Sequence, residues 1–250
     1  MKTPSYDLAL LPKMHMLIVN DDVRSANRKS VTSDLAWNFK WDVNDKLGLS
    51  TDLQYIKSST DADDLTIATG VNIPSETVKL TGDPPSATVD PAFLTNPDNY
   101  YWAFTMDGLS KSSGKEWSWR ADADYTIGDG FFKSIRGGLR ATDRNAETAV
   151  TVPGNGYNWQ PVSQTWMLGW YMPRLAGVSE FPAATNTYAF PRFFNGRETL
   201  PSAVVFPSAS LTATWPNSFQ DIQAFRDTLC LEQNLGGCPA FSPWVVPKFD

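Results

Sequence analysis

The sequence predicts an all-β protein built as an antiparallel meander, and three observations support this fold class. Ten Trp, 18 Pro and 16 Gly favour strands and turns over helices. Two segments alternate strictly between apolar and polar residues, which is the period of a strand with two different faces. Each segment also contains a short turn sequence, so each is predicted to fold as a β-hairpin.

The first predicted hairpin covers residues 31–57 and turns at Asn44-Asp45-Lys46. Most odd positions on both strands are apolar, whereas most even positions are polar. Like faces meet if Asn38 lies opposite Asp52, because strand pairing in this register keeps both patterns intact. The odd-numbered apolar residues are Leu35, Trp37, Phe39, Trp41, Val43, Leu47, Leu49, Leu53 and Tyr55.

The second predicted hairpin covers residues 116–143, with its turn at Gly128-Asp129-Gly130. One face of its first strand carries apolar residues from Trp117 to Ile127, and the other face carries charge. A tight turn that pairs Ile127 with Phe131 defines the expected register.

That expected register places Asp122 opposite Arg136, a favourable charge pair. A shift by two residues would place Arg120 opposite Arg140. Like charges directly opposite each other destabilise a strand pair, so the sequence favours the first register.

Long segments rich in Ser, Thr, Asp, Asn and Pro follow both hairpins, at residues 58–115 and 145–250, and are predicted as long external loops. Short strands are expected inside the first segment, at Leu65–Val71 and Thr77–Leu80. Tight turns at one end of the strands and long loops at the other are typical of outer-membrane barrels.

One short helix is expected near the end of the chain, with Ser218 as its N-cap. Cys230 and Cys238 flank a loop that is short enough to close as a disulfide, which would indicate an oxidising compartment. Two unpaired thiols are the alternative. The apolar stripe of the helix is Ile222, Phe225 and Leu229.

The alternation by itself fits either a soluble sheet with one wet face or a membrane barrel. Aromatic residues near the strand ends favour the barrel, with Trp41 and Tyr125 near the turns, and Tyr55 and Trp117 near the loops. The charged face would then line the lumen as a network of paired side chains. The predicted members of this network are Lys40, Asp52, Arg120, Asp122, Asp124, Arg136 and Arg140.

The composition argues against several functions. A net charge of −6 and a pI near 4.8 do not fit a nucleic-acid surface. With one His and two Cys, we expect neither a metal site nor a cofactor. Asp122 and Asp124 lie on one strand face beside Arg136, so they indicate a structural charge network rather than a glycosidase pair. We therefore expect a protein that is not an enzyme.

Aromatic residues in the long segments are candidates for ligand binding, since flat rings stack on sugar faces. The alternative is that they pack the loops against each other. The candidates are Tyr100, Tyr101, Trp102, Tyr157, Trp159, Trp166, Trp170 and Tyr171.

The stretches "LAWNFKWDVNDKLGLSTDLQYIKSSTDADD" and "DNYYWAFTMDGLSKSSGKEWSWRADADYTI" resemble the barrel of large TonB-dependent outer-membrane receptors. The likeness extends over roughly residues 30–160 and is looser beyond them. It implies a barrel of about 22 strands closed by a plug, in the outer membrane of a Gram-negative bacterium. It also implies contact with TonB through the plug region, and uptake of an oligosaccharide or siderophore.

We therefore expect residues 1–250 to form an internal section of such a barrel, embedded in outer-membrane lipid, with the plug domain absent from the chain. A soluble, secreted, β-rich carbohydrate-binding module is the alternative. The two differ in whether the apolar face meets lipid or a second protein layer.

Overall fold

A computed structural model describes residues 17–81, 86–152, 158–163, 175–180, 185–197, 203–232 and 245–249. Antiparallel strands make up most of these residues, as the sequence predicts. None of the helices in this part of the chain has the length and apolar character needed to cross a membrane.

Within these ranges, ten strands and three helices follow one another, together with short 3-10 turns at Pro97–Asn99, Val178–Glu180 and Phe193–Gly196. The helices are α1 (Pro91–Thr95), α2 (Ser210–Ala213) and α3 (Asn217–Glu232). The strands are β1 (Leu17–Asn44), β2 (Leu47–Ile73), β3 (Thr77–Lys79), β4 (Ser86–Thr88), β5 (Tyr100–Thr126), β6 (Ser134–Val152), β7 (Asn158–Pro161), β8 (Thr185–Tyr188), β9 (Val204–Pro207) and β10 (Lys248–Phe249).

The main sheet has six strands, in the order β1-β2-β5-β6-β10, and β7 pairs with β5. Two small sheets pair β3 with β4, and β8 with β9. Both predicted hairpins are present, but their strands extend well beyond residues 31–57 and 116–143. The expectation that residues 58–115 form one long loop is wrong, because β2 and β5 occupy much of that range.

The missed strand ends lack the alternation that the prediction relied on. Residues 65–71 are buried without interruption, and so are residues 100–103. Such continuous burial covers both faces of a strand, so buried threonines such as Thr66 and Thr69 lie among apolar residues such as Leu65 and Ile67, and the pattern of burial has no period of two. The predicted short strand at Leu65–Val71 is therefore the end of β2, whereas Thr77–Lys79 is a separate strand, as expected.

The chain divides into two compact units, and β1, β2 and β5 contribute residues to both. Unit 1 consists of Met1–Ala26, Asp64–Gly108 and Tyr157–Lys248. Unit 2 consists of Asn27–Asp63, Leu109–Gly156 and Phe249–Asp250.

Unit 1 holds the hydrophobic core of the described residues. Side chains from the ends of β2 and β5 pack there with β9 and with α3. The predicted helix is confirmed, with Ile222 and Leu229 buried and Phe225 packed against the core. Ser218 lies inside α3 rather than before it, and its hydroxyl donates to the Leu211 carbonyl oxygen at 2.5 Å. The expectation that Ser218 caps the helix is therefore wrong.

A tyrosine ring packs directly on a glycine in unit 1. A Cβ atom added to Gly70 would lie 2.5 Å from the ring of Tyr101, which is closer than real Cβ contacts. The Tyr101 hydroxyl group donates to Asn72 at 3.5 Å, so the ring has little freedom to move away.

We expect the substitution Gly70→Ala to lower the free energy of unfolding of unit 1 by about 1–3 kcal/mol, because the new methyl group overpacks against Tyr101. Gly137→Ala in unit 2 is the matched control, since nothing lies within 4 Å of the added Cβ atom. Near-ultraviolet circular dichroism during denaturant unfolding measures both changes. Equal stability of the two variants would contradict the packing described above.

Asp21 in unit 1 is half-buried, and one of its carboxylate oxygens has no hydrogen-bond partner among the described residues. Burial, and next the charge of Asp22, raise the pKa of this carboxyl from 3.8 to about 6. The folded chain therefore binds this proton more tightly than the unfolded chain does. Its stabilising effect is complete below pH 3.8 and is lost as the pH rises through 6.

We expect Asp21→Asn to remove this pH-dependent loss of stability, because an amide does not titrate. Between pH 4 and pH 7 the free energy of unfolding of the variant should rise by about 1–2 kcal/mol relative to the parent chain, after allowance for solvent screening. Denaturant unfolding across that pH range measures the difference. Glu76→Gln is the control, because Glu76 is exposed in the same unit. Parallel pH profiles for the parent chain and Asp21→Asn would rule out this role for Asp21.

Candidate functional site

Unit 2 presents two chemically different faces, because successive side chains on a strand point to opposite sides of the sheet. We define the apolar band as the odd-numbered residues within 35–43, 47–55, 117–127 and 135–141. We define the polar face as the even-numbered residues of the same strands, continued to residue 144 on β6. These two surfaces are the candidate functional site.

The register of β5 against β6 differs from the predicted one by two residues. Arg120 lies directly opposite Arg140, and Gly138, rather than Arg136, lies opposite Asp122. A Cβ atom at Gly138 would overlap with the Asp122 carboxylate. Since Gly138 has no side chain, Asp122 occupies that space and its carboxylate can bind Arg120.

The loop between β5 and β6 is also longer than predicted. It spans residues 127–133 and is closed by a hydrogen bond of 2.9 Å from the Ile127 N–H to the Lys133 carbonyl oxygen. The tight turn expected at residues 128–130 would require the wrong register, whereas the longer loop allows the observed one.

An ion pair with Asp122 offsets the charge of Arg120, which lies opposite Arg140 on the polar face. Arg120 binds both carboxylate oxygens of Asp122, at 2.7 and 3.1 Å, so its own charge is locally neutralised. Four of the predicted network residues on β5 and β6 thus form ion pairs, Arg120 with Asp122 and Arg136 with Asp124, and these partners differ from those that the expected register implies. The ion pairs between arginine and carboxylate are Arg120–Asp122 at 2.7 Å, Arg136–Asp124 at 2.5 Å and Arg144–Glu116 at 2.5 Å.

The register predicted for the first hairpin is confirmed on the polar face. The Asn38 amide donates to the Asp52 carboxylate, and the Gln54 amide donates to both oxygens of Asp34 at 2.9 and 3.0 Å. At the turn, the side-chain oxygen of Asn44 accepts hydrogen bonds from two backbone N–H groups at 2.9 and 3.0 Å. This Asx geometry explains why the chain turns there.

An open cavity of about 460 Å³ lies on the polar face of unit 2. Its lining includes six charged side chains, three of each sign. They are Lys40, Asp42, Arg120, Asp122, Asp124 and Arg136. Fixed charges of both signs suit hydroxyl-rich or zwitterionic solutes better than apolar ones.

The charged network continues along β5 and β6 beyond the residues that the sequence predicts for it. Glu116 and Arg144 form an ion pair further along the β5–β6 pairing, and four residues beyond them Ser112 and Thr148 hydrogen bond at 3.1 Å. The even-numbered polar pattern continues through these positions, so the signal was present. Only the correct register shows which residues face each other.

The apolar band is exposed. Leu35 is 71% exposed, Trp37 is 56% exposed and Leu139 is 73% exposed. The rings of Trp37 and Phe39 are nearly parallel, with centroids 5.8 Å apart. The other large exposed members of the band are Trp41, Val43, Leu49, Leu53, Trp117, Trp119, Tyr125, Ile127 and Ile135.

Two polar groups within the band, on Trp119 and Thr51, are satisfied by the protein itself. The Trp119 indole N–H donates to the Thr51 hydroxyl group at 2.9 Å, and that hydroxyl donates to the Arg120 carbonyl oxygen at 2.9 Å. Both polar groups are thus paired without water. This matters in an apolar solvent, where each unsatisfied polar group costs several kcal/mol.

The apolar band ends at adjacent positions on the neighbouring strands β2 and β5. Lys57 follows Tyr55 on the outward face of β2, and Lys115 precedes Trp117 on β5. The rings of Tyr55 and Trp117 are 4.4 Å apart, so these two ends lie side by side. An aromatic row bordered by charged residues closes the band here.

The aromatic ligand candidates do not form one group. Tyr100, Tyr101 and Trp102 are buried on β5 in unit 1, which corrects the expectation that they lie in an exposed loop. Trp159 on β7 is 44% exposed and its ring lies 6.1 Å from that of Phe104. The remaining candidates, Tyr157, Trp166, Trp170 and Tyr171, lie outside the described residues.

Cys230 is buried at the end of α3 and takes part in a disulfide bond, whereas Cys238 lies outside the described residues. Among the residues with described positions, no group of three or more His, Cys, Asp or Glu side chains is arranged to hold a metal ion.

The structure thus defines an antiparallel β protein with one exposed apolar face and one charged face on the strands of unit 2. No protein-family model matches the sequence, and no curated protein matches it.

The observed register predicts a cross-linking pattern. Ser118 lies opposite Thr142, so we expect the double variant Ser118→Cys/Thr142→Cys to form a disulfide on mild oxidation. Ser118→Cys/Arg140→Cys would cross-link in the rejected register, and it serves as the matched control. Mass spectrometry of proteolytic peptides identifies the joined cysteines, and preferential cross-linking of the control pair would reject the observed register.

Proposed function

We propose that unit 2 is a section of the wall of a transmembrane β-barrel, with its apolar band in lipid and its polar face towards an aqueous lumen. The exposure of the band is the observation that carries this proposal. Monomeric soluble proteins rarely expose a continuous apolar surface of this kind, and such a surface marks an interface with protein or membrane.

The free energy of removing apolar side chains from water favours an apolar environment for the band. Burying a large apolar side chain away from water contributes about 1.5–3 kcal/mol. Trp37, Trp41 and Trp117 are each half exposed or more, so transfer of the whole band from water to lipid is strongly favourable. A charged face on the same strands would be stable only in water or against paired charges.

The dimensions of the band fit a membrane. From Leu35 to Val43 it covers about nine residues of β1, which is the length that a strand tilted by about 45° needs to cross the hydrocarbon layer. Aromatic rings lie near both limits, with Trp41 and Tyr125 towards the turns and Tyr55 and Trp117 at the other limit. Amphipathic rings are enriched at these levels in membrane barrels.

We propose that the barrel to which unit 2 belongs is a TonB-dependent receptor in the outer membrane of a Gram-negative bacterium. The support is the sequence resemblance together with the two-faced sheet. Such a receptor takes up a bulky nutrient, here an oligosaccharide or a siderophore, and draws its energy from TonB through a plug domain. No covalent bond is made or broken, and the charged polar face would offer hydrogen bonds to the passing solute.

One observation favours a second candidate, a secreted carbohydrate-binding module. The rings of Trp37 and Phe39 are nearly parallel and are both exposed. Sugar rings stack on such surfaces. In this candidate the band contacts saccharide and water, and no membrane is involved.

Quenching by brominated lipids distinguishes the two candidates. We expect the tryptophan fluorescence of the chain in vesicles of phosphatidylcholine to be quenched when the acyl chains carry bromine, because the band lies among them. The quenched fraction is expected to fall in Trp37→Phe but not in Trp102→Phe, since Trp102 is fully buried in unit 1.

Equal quenching in the parent chain and Trp37→Phe would contradict the membrane proposal. A soluble monomer that binds oligosaccharide without detergent, and loses binding in Trp37→Ala, would support the second candidate in its place.

A further inference from the structure

We propose that Lys57 and Lys115, with Tyr55 and Trp117, bind the phosphate head group of an anionic membrane lipid at the edge of the apolar band. This inference rests on the proposed membrane position of unit 2. It adds a specific lipid site that the general membrane role does not require.

Contacts between β2 and β5 place the two lysines side by side. The rings of Tyr55 and Trp117 are 4.4 Å apart on neighbouring strands. One residue beyond each lysine, the Ser58 hydroxyl lies 3.5 Å from the place that a Cβ atom on Gly114 would take. In an antiparallel pair these contacts set Lys57 opposite Lys115.

The paired lysines are both exposed, and they carry like charges. Among the described residues, neither ammonium group forms an ion pair within 4.0 Å. Asn145 faces Lys115 from β6, and the two acids on the same face of that strand, Asp143 and Glu147, lie opposite Trp117 and Ser113, two residues to either side. Like charges directly opposite each other cost stability, which an anion between them would offset.

Four residues beyond Lys57 on the same face of β2, the charges on neighbouring strands alternate in sign. By the registers described above, Asp61 on β2 lies between Lys29 on β1 and Lys111 on β5. There the protein supplies its own counter-charge. The uncompensated pair is therefore the one that borders the aromatic row, where the membrane surface would lie.

The chemistry of the site matches a phospholipid head group. Each ammonium group offers three hydrogen-bond donors and a point charge, which suits phosphate oxygens. Tyrosine and tryptophan rings prefer the level of the glycerol backbone, just below the phosphates. A basic residue near an anionic membrane surface attracts its lipids with useful strength.

A lipid fits this site better than a free phosphate does. The lysines stand directly above the apolar band, and Leu53 and Trp119 continue it below the aromatic pair. A lipid held by its phosphate at Lys57 and Lys115 would lay its acyl chains on these side chains. A free anion would gain the charge contacts alone.

The test compares quenching of Trp117 by two brominated lipids, phosphatidylglycerol and phosphatidylcholine, each present as the same minor fraction in phosphatidylcholine vesicles. The Trp117 signal is the difference between the parent chain and Trp117→Phe. We expect brominated phosphatidylglycerol to be enriched about fivefold beside Trp117. The enrichment should disappear in the double variant Lys57→Gln/Lys115→Gln.

Lys29→Gln is the matched control, because Lys29 is an exposed lysine of the same face with an acid opposite it, and it should retain the enrichment. Equal quenching by both lipids would overturn the site while leaving the membrane proposal intact. No quenching by either lipid would overturn both. Loss of the enrichment in the presence of free glycerol phosphate would assign the site to the free anion and overturn the lipid assignment.

Discussion

The structure of unit 2 depends on one constraint, the strict alternation of side chains along paired strands. Successive side chains on a strand point to opposite faces, and apolar and polar side chains alternate along much of 31–57. The two kinds of side chain therefore separate onto opposite faces of the sheet. In the described part of the chain, no layer covers the apolar face, so Leu35 and Leu139 remain mostly exposed. The two faces therefore differ sharply in polarity.

The charged face shows that cross-strand sign matching is not the only determinant of register. Arg120 opposes Arg140 because Asp122 beside it neutralises its charge and lies over Gly138. Local pairing along one strand can thus outweigh repulsion across strands. The missing Cβ atom at one position decides whether the carboxylate has room.

Unit 1 uses the same long strands in a different chemical setting. The end of β2 is a continuous buried segment, and the ring of Tyr101 packs on Gly70. Asp21, half-buried at the side of this core, has its pKa raised to about 6 by loss of water contact and by the charge of Asp22. The aromatic residues that seemed suited to bind a ligand, Tyr100 and Trp102, instead fill the core of this unit.

The sequence by itself determined the β class, the two hairpins, helix α3 and the division of residues 35–55 between two faces. These follow from local periodicity, which neighbouring residues carry. Tertiary structure alone decided the pairing of Arg120 with Asp122, the extent of β2 and β5, and the burial of Tyr100. The physical reason is that strand register and double-sided burial depend on partners distant in the chain, and a continuous apolar run has no period that reveals them.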